Sequence, residues 1–228
     1  MSSNNKRIHA SRFSAAPFVT EPLDIVLGGL GGVGAYVAFY LSRLQHNLFC
    51  YEFDVVEDIN LDCQFFRYSD LGKPKATAVS EACYEYSRKT ITRLGKYELN
   101  SFVGPIVFAM FDNMRARKFM FEKWCELESK QVFVDTRLQA EEFQIFFIQN
   151  KPEDIELYRA SLRDDSEIPD LPCSYKQTGH YAGMVATQAV ALFCNYLANQ
   201  NHLKEFGEEL RECPTFTTFN GLTWMQRN

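Results

Sequence analysis

Six residues, Gly29-Leu30-Gly31-Gly32-Val33-Gly34, constrain this chain more than any other stretch. They follow Leu23 to Gly29, a short apolar run with the form of a buried parallel strand. They lead into Val33 to His46, where Val33, Val37, Leu41 and Leu44 recur at helical spacing. Strand, G-x-G-x-x-G and helix in that order predict a nucleotide site. The early glycines permit a tight turn and let backbone N–H groups approach a phosphate. The last lets the helix lie close to the strand, and the helix N-terminus favours an anion. A glycine turn that serves structure alone is the plainer alternative.

The same alternation continues along the chain. Strands are expected at Asn47 to Phe53, Ile91 to Leu99, Pro105 to Phe111 and Gln131 to Thr136, with helices at Lys73 to Arg88 and from Asn113 to about Ser129. Strands alternating with helices imply right-handed crossovers and a mainly parallel sheet with helices on both faces. The pattern then changes. Glu142 to Gln149 reads as a strand, Pro152 to Leu162 as a helix, Arg163 to Pro172 as an acidic loop, residues 181–198 as an Ala-rich helix and Pro214 to Asn220 as a last strand. The fold class is therefore α/β with a mixed C-terminal extension. Residues 1–22, polar and with two prolines, read as an N-terminal arm.

Composition narrows the function. A net charge of −5 and basic groups interrupted by acids argue against a nucleic-acid partner. Seven cysteines form no CxxC pair, so no structural zinc is expected. Free cysteines and the lack of a secretory signal suggest a cytoplasmic protein. Tyr181 to Leu197 is apolar but broken by Thr187, Gln188 and Asn195, which suits a buried helix and not a membrane span.

Which nucleotide binds is not decided by the glycine loop. Glu52 ends the second strand 18 residues past Gly34, placed to accept from ribose hydroxyls, and this suits NAD as readily as ATP. Further motifs tip the balance. Tyr51 to Gln64, reading YEFDVVEDINLDCQ, resembles the D-x-D-x-V-x-x-x-N-L-x-R-Q signature of the ThiF/MoeB/ubiquitin-activating adenylyltransferases. Gly72-Lys73-Pro74-Lys75 is similar to that family's G-x-x-K, and Phe111-Asp112-Asn113 to its D-N step, with Arg117 where the family often carries arginine. The alignable region runs from about residue 24 to 136, with a weaker echo through Pro172-Cys173 and the helix near 181–198.

The resemblance implies one Rossmann-like nucleotide-binding domain over residues 23–228, with a core at 23–136 and a substrate-side part at 137–228. It implies ATP-dependent adenylation of a carboxylate, at the end of a ubiquitin-like or sulfur-carrier protein or a peptide. Gly29, Gly31, Gly34, Glu52, Asp54, Asn60, Gln64, Lys75, Asp112 and Asn113 would bind the nucleotide. Within that set Glu52 would hold the ribose, Lys75 the phosphates and Asp112 Mg²⁺. Each has a bland alternative: Lys75 a surface residue of a helix, Asp112 a helix N-cap, Asn60 a turn residue. A homodimer or pseudo-symmetric heterodimer is also implied, with Arg12 reaching a neighbouring site. Cys173 lies in the broad region where relatives carry a reactive cysteine, although an ordinary loop cysteine fits it as well.

Two departures stand out. Glu52 replaces the usual Asp, and Cys63 replaces the arginine of N-L-x-R-Q, a position where a thiol cannot form a cationic contact. Arg67, four residues on, is the expected catalytic substitute. Three readings follow: an adenylyltransferase, a non-catalytic family member that binds nucleotide or a partner, and an NAD-dependent oxidoreductase.

Overall fold

A computed structural model describes residues 15–98, 100–163 and 178–228. Strands β1 (Asp24–Gly28), β2 (Asn47–Tyr51), β3 (Ile91–Gly95), β4 (Ile106–Ala109), β5 (Val132–Gln139), β6 (Glu142–Gln149), β7 (Phe216–Asn220) and β8 (Met225–Arg227) form one sheet in the order β3-β2-β1-β4-β5-β6-β7-β8. The pairs from β3 through β5 are parallel and those from β5 through β8 antiparallel. The expected parallel core and mixed extension are both present.

Helices α1 (Gly32–Arg43), α2 (Lys75–Ser87) and α5 (Gly179–Phe206) pack on one face, around Leu27, Phe108, Val134 and Phe193. Helices α3 (Met114–Cys125) and α4 (Pro152–Ser161) cover the other, around Val107, Phe121, Trp124 and Tyr158. Residues at alternate positions of β1 serve opposite layers: Ile25 and Leu27 face α1, while Val26 faces the α3 side. The strand order reverses at β1 and β4, so the crevice at their C-terminal ends is where an open α/β sheet holds ligands.

Several boundaries differ from the sequence expectation, each for a local reason. Helix α2 begins at Lys75, not Lys73, because Pro74 sits in its N-cap position with extended ψ of 132° and a proline disfavours helical backbone before it. Strand β3 stops at Gly95, whose φ of +84° turns the chain. Helix α5 runs 28 residues, past the expected end at 198, until Gly207 stops it in the left-handed conformation. Asn199 does not end the helix: its buried amide donates to the Arg211 carbonyl and accepts from the N–H groups of Leu210 and Arg211. No helix among the described residues is long and apolar enough to cross a membrane.

Candidate functional site

A cleft of about 1750 Å³ opens at the C-terminal ends of the parallel strands. Its floor is the glycine loop between β1 and α1, and the three glycines of the G-x-G-x-x-G pattern do different work. Gly29 has φ +88°, and a Cβ on it would lie 2.9 Å from the Met110 carbonyl oxygen. A Cβ on Gly34 would collide with the carbonyl oxygen of Gly29. Both are therefore required by the fold itself. Gly31 is different: the nearest atom to its would-be Cβ is Gln64 Oε1 at 3.9 Å. Space, not packing, is what glycine provides at that position, and the space opens on the cleft. Gly28, not singled out from sequence, is also tightly packed, since a Cβ there would meet the Phe111 ring at 2.5 Å.

Glu52, beyond the end of β2, is buried and fastens this loop. Its Oε2 accepts from the Leu30 N–H at 2.8 Å, and its Oε1 accepts from the N–H groups of Phe53 and Asp54 at 2.8 and 2.9 Å. A shorter Asp would have one methylene less with which to span both loops. Lys75, in the first turn of α2, is only 7% exposed. Its Nζ lies 3.2 Å from Asp54 Oδ2, and both residues line the cleft. A buried ammonium needs such a partner, so a plain surface lysine is the wrong description. Gln64 adds a buried Oε1 with no hydrogen-bond partner among the described residues, beside the open position at Gly31.

Asp112 and Asn113 follow β4. Asn113 caps α3, its Oδ1 accepting from the Ala116 N–H at 2.8 Å. The capping role considered for Asp112 thus belongs to its neighbour. Asp112 is left exposed in the cleft, accepting from Asn113 Nδ2 at 3.1 Å.

Other expected residues are placed elsewhere. Asn60 is buried and closes the short helical turn Asp58–Asn60, its Oδ1 accepting from the Glu57 N–H at 2.9 Å. It does not line the cleft. Arg67 is absent from that lining too, with its guanidinium held by Asp70 at 3.0 Å, Glu85 at 2.8 Å and Glu81 at 3.5 Å. Burial and the nearby Asp62 raise the Cys63 thiol pKa, with Lys75 opposing, so the group is held as a neutral thiol. Its Sγ points at the Ile59 carbonyl, 3.6 Å away. Arg12 and Cys173 lie outside the described residues.

One arrangement was not anticipated. Asp135, on β5 and fully buried, accepts from Arg117 at Oδ1, and from Arg137 Nε and the Tyr158 hydroxyl at Oδ2, 2.8 and 3.0 Å away. Arg117 also donates to the carbonyls of Ala109, Phe111 and Thr136. The available signal was an aspartate directly after the apolar run Val132-Phe133-Val134, two residues before an arginine on the same face.

Five features converge in this cleft: an open glycine loop, an acidic β2 end, a buried ammonium, an amide oxygen unpartnered among the described residues and a carboxylate beyond β4. Among the described residues no group of three or more His, Cys, Asp or Glu side chains is arranged for a metal ion. A lone carboxylate still fits Mg²⁺, which takes one or two protein carboxylates together with substrate phosphates and water.

Comparisons with known proteins agree on the architecture. Escherichia coli MccB crystallised with ATP superposes with a TM-score of 0.66 at 13% identity, over 92% of this chain and 64% of that one. The microcin C7 biosynthetic enzyme MccB in complex with N-formylated MccA gives 0.64 at 13% identity, over 90% and 63%. PaaA gives 0.59 at 14% identity, over 92% and 64%. The chain thus spans less than two thirds of the length of these neighbours, and at such identities the likeness shows the fold alone. No curated protein sequence matches the chain. The ThiF family matches residues 21–224, nearly the whole sequence, and to that family this chain belongs.

Proposed function

We propose that this chain binds ATP with Mg²⁺ in the cleft and adenylates the terminal carboxylate of a peptide, a ubiquitin-like protein or a sulfur carrier. The observation that carries the reading is Gly31. Alone among the three glycines of the loop motif it is small for the sake of open space, and that space adjoins the Gln64 amide and the cleft that Lys75 lines. Phosphates would lie against the loop, with Lys75 supplying charge and Glu52 meeting the ribose hydroxyls. Asp112 would hold Mg²⁺, which offsets phosphate charge when bound. In the reaction an acceptor carboxylate oxygen bonds to the α-phosphorus, the bond to the bridging oxygen breaks, and pyrophosphate leaves with the electron pair. The chain's share of this work is positioning and charge neutralisation. Support for a peptide acceptor comes from MccB, a structural neighbour crystallised with MccA.

Melting curves test the nucleotide site. ATP with Mg²⁺ is expected to raise Tm by mass action, and NAD is not. Replacing Gly31 with Val should remove the ATP shift while leaving the unliganded Tm close to that of the wild type. Stabilisation by NAD instead of ATP would move the chain to the oxidoreductase reading.

Cys63 favours a second reading, a nucleotide-binding subunit without chemistry of its own. Its thiol stands where the family signature has arginine, and the expected substitute Arg67 spends its guanidinium on three carboxylates. ATP–pyrophosphate exchange with candidate acceptors separates the two. Exchange that persists in Arg67→Ala supports an enzyme that works without that arginine. Exchange that appears only in Cys63→Arg indicates a lapsed enzyme. A dimer that brings Arg12 to a neighbouring site belongs to the same proposal, and light scattering tests it.

A further inference from the structure

The cleft continues beyond the nucleotide end, over the face that β5, β6 and β7 turn toward α4. Arg137, Gln144, Phe146 and Thr218 line it there, on the upper part of the antiparallel extension. Arg137 is the charged group of this region with the most constrained setting. Its guanidinium lies 4.4 Å from the Phe146 ring centroid and 5.5 Å from that of Tyr158. It donates to the carbonyl and hydroxyl of Ser161 at 3.2 and 3.0 Å. The stacking rings and Ser161 fix the plane of the guanidinium, the pre-organisation that lets arginine grip a carboxylate.

Its charge is only partly answered. Among the described residues Asp135 is the one carboxylate within ion-pair distance of Arg137, and Asp135 is shared with Arg117. Both Asp135 oxygens are engaged, one by Arg117 and the other by Arg137 and Tyr158. Burial accordingly draws the Arg137 pKa below its ordinary value, with Tyr158 opposing. Arg163 adds a second cation to the lining of the cleft, and the carboxylate of Glu142, also in the lining, is taken up by Asn220.

We propose that Arg137 is the receptor for a carboxylate carried by an extended peptide lying over β5, β6 and β7, making the acceptor an acidic peptide tail. The tail's role as acceptor rests on the adenylation reading, whereas carboxylate binding at Arg137 does not. The carboxylate has two possible sources, the C-terminus and an Asp or Glu side chain near it.

Fluorescence anisotropy with N-terminally labelled peptides tests this without ATP. The probes are Gly-Ser-Gly-Gly with a free C-terminus, the same peptide as its C-terminal amide, and Gly-Ser-Asp-Gly-amide. Wild-type protein is expected to bind at least one carboxylate-bearing probe roughly tenfold or more tightly than the neutral amide. Preference for the free acid assigns the C-terminus, and preference for the Asp amide assigns a side chain. Arg137→Gln should abolish the preference, with the ATP-induced melting shift retained. Equal binding of all three probes by wild type, or no binding of any, overturns the proposal, and neither result depends on how a variant folds. A preference that survives in folded Arg137→Gln overturns it as well. A carboxylate preference without an ATP shift would instead sink the nucleotide reading and leave the Arg137 site standing.

Discussion

The two ends of the cleft are built from different materials. At the nucleotide end the decisive groups are backbone: the glycine loop, the Leu30 N–H held by Glu52, and a space at Gly31 that any side chain would fill. At the end over the antiparallel strands they are side chains, an aspartate with two arginines and a tyrosine around it. A site made of backbone demands particular residues at particular spacings, so it leaves a motif. A site made of long side chains is assembled from positions far apart in sequence, here 117, 135, 137 and 158, and leaves almost none.

The largest effect that would test this contrast is on Asp135. Removing it in Asp135→Ala leaves two arginines around a buried cavity, and loss of one partner of a buried ion pair costs about 3–5 kcal/mol. Denaturant unfolding should show that loss, and a cost below about 1 kcal/mol would mean the network contributes little. Next comes a pair of glycine variants. Gly34→Ala pushes a methyl into the Gly29 carbonyl and should destabilise by roughly 1–3 kcal/mol. Gly31→Ala should cost no more than a few tenths of that while weakening ATP binding. If both variants lose stability equally, Gly31 is structural and the contrast within the loop disappears.

Asn113→Ala removes the α3 cap, worth about 1 kcal/mol, whereas Asp112→Ala should leave stability nearly unchanged and remove the Mg²⁺ dependence of the ATP shift. Thermal melts with and without Mg²⁺ distinguish them, and a larger stability loss for Asp112→Ala would reverse the assignment. The smallest effect concerns pH. Burial pushes the Asp70 carboxyl up, but hydrogen bonds from Arg67 and Lys73 outweigh it and hold the pKa below the usual value. A depressed folded-state pKa contributes stability that is full above the unfolded value of about 3.9 and is lost as pH falls through the folded one. Asp70→Asn should therefore flatten the acid limb of the stability curve below about pH 4. An unchanged limb would show that Asp70 is not coupled to folding there.

Much of the fold was legible in the sequence because its strands are apolar runs bounded by turn residues and its first helix repeats apolar residues at helical spacing. β1, α1, β2 and β6 fall within a few residues of their expected positions. What escaped has physical causes. Three exposed residues make β8, too few to carry a pattern, and pairing with β7 alone defines it. The helix expected at 181–198 continues through Asn199, whose amide is paired with the returning chain at 210–211. Arg67 looked available because two of the three acids that hold it, Glu81 and Glu85, lie in the next helix, beyond Asp70. Lys75 and Asp54, by contrast, were named separately from two motifs, and the fold sets them 3.2 Å apart.

Arg117 has an effect on the cleft beyond its pairing with Asp135. Where neighbouring strands end, a carbonyl oxygen that no longer has a ladder partner is the bare negative end of a peptide dipole beside the crevice. A polyanion placed there would meet a fringe of partial negative charge. Arg117 collects three of those oxygens, from Ala109, Phe111 and Thr136. With these dipoles answered by a guanidinium, the rim formed by β4 and β5 repels phosphate less than bare strand ends would. One side chain from α3 thereby makes the end of a sheet hospitable to an anion.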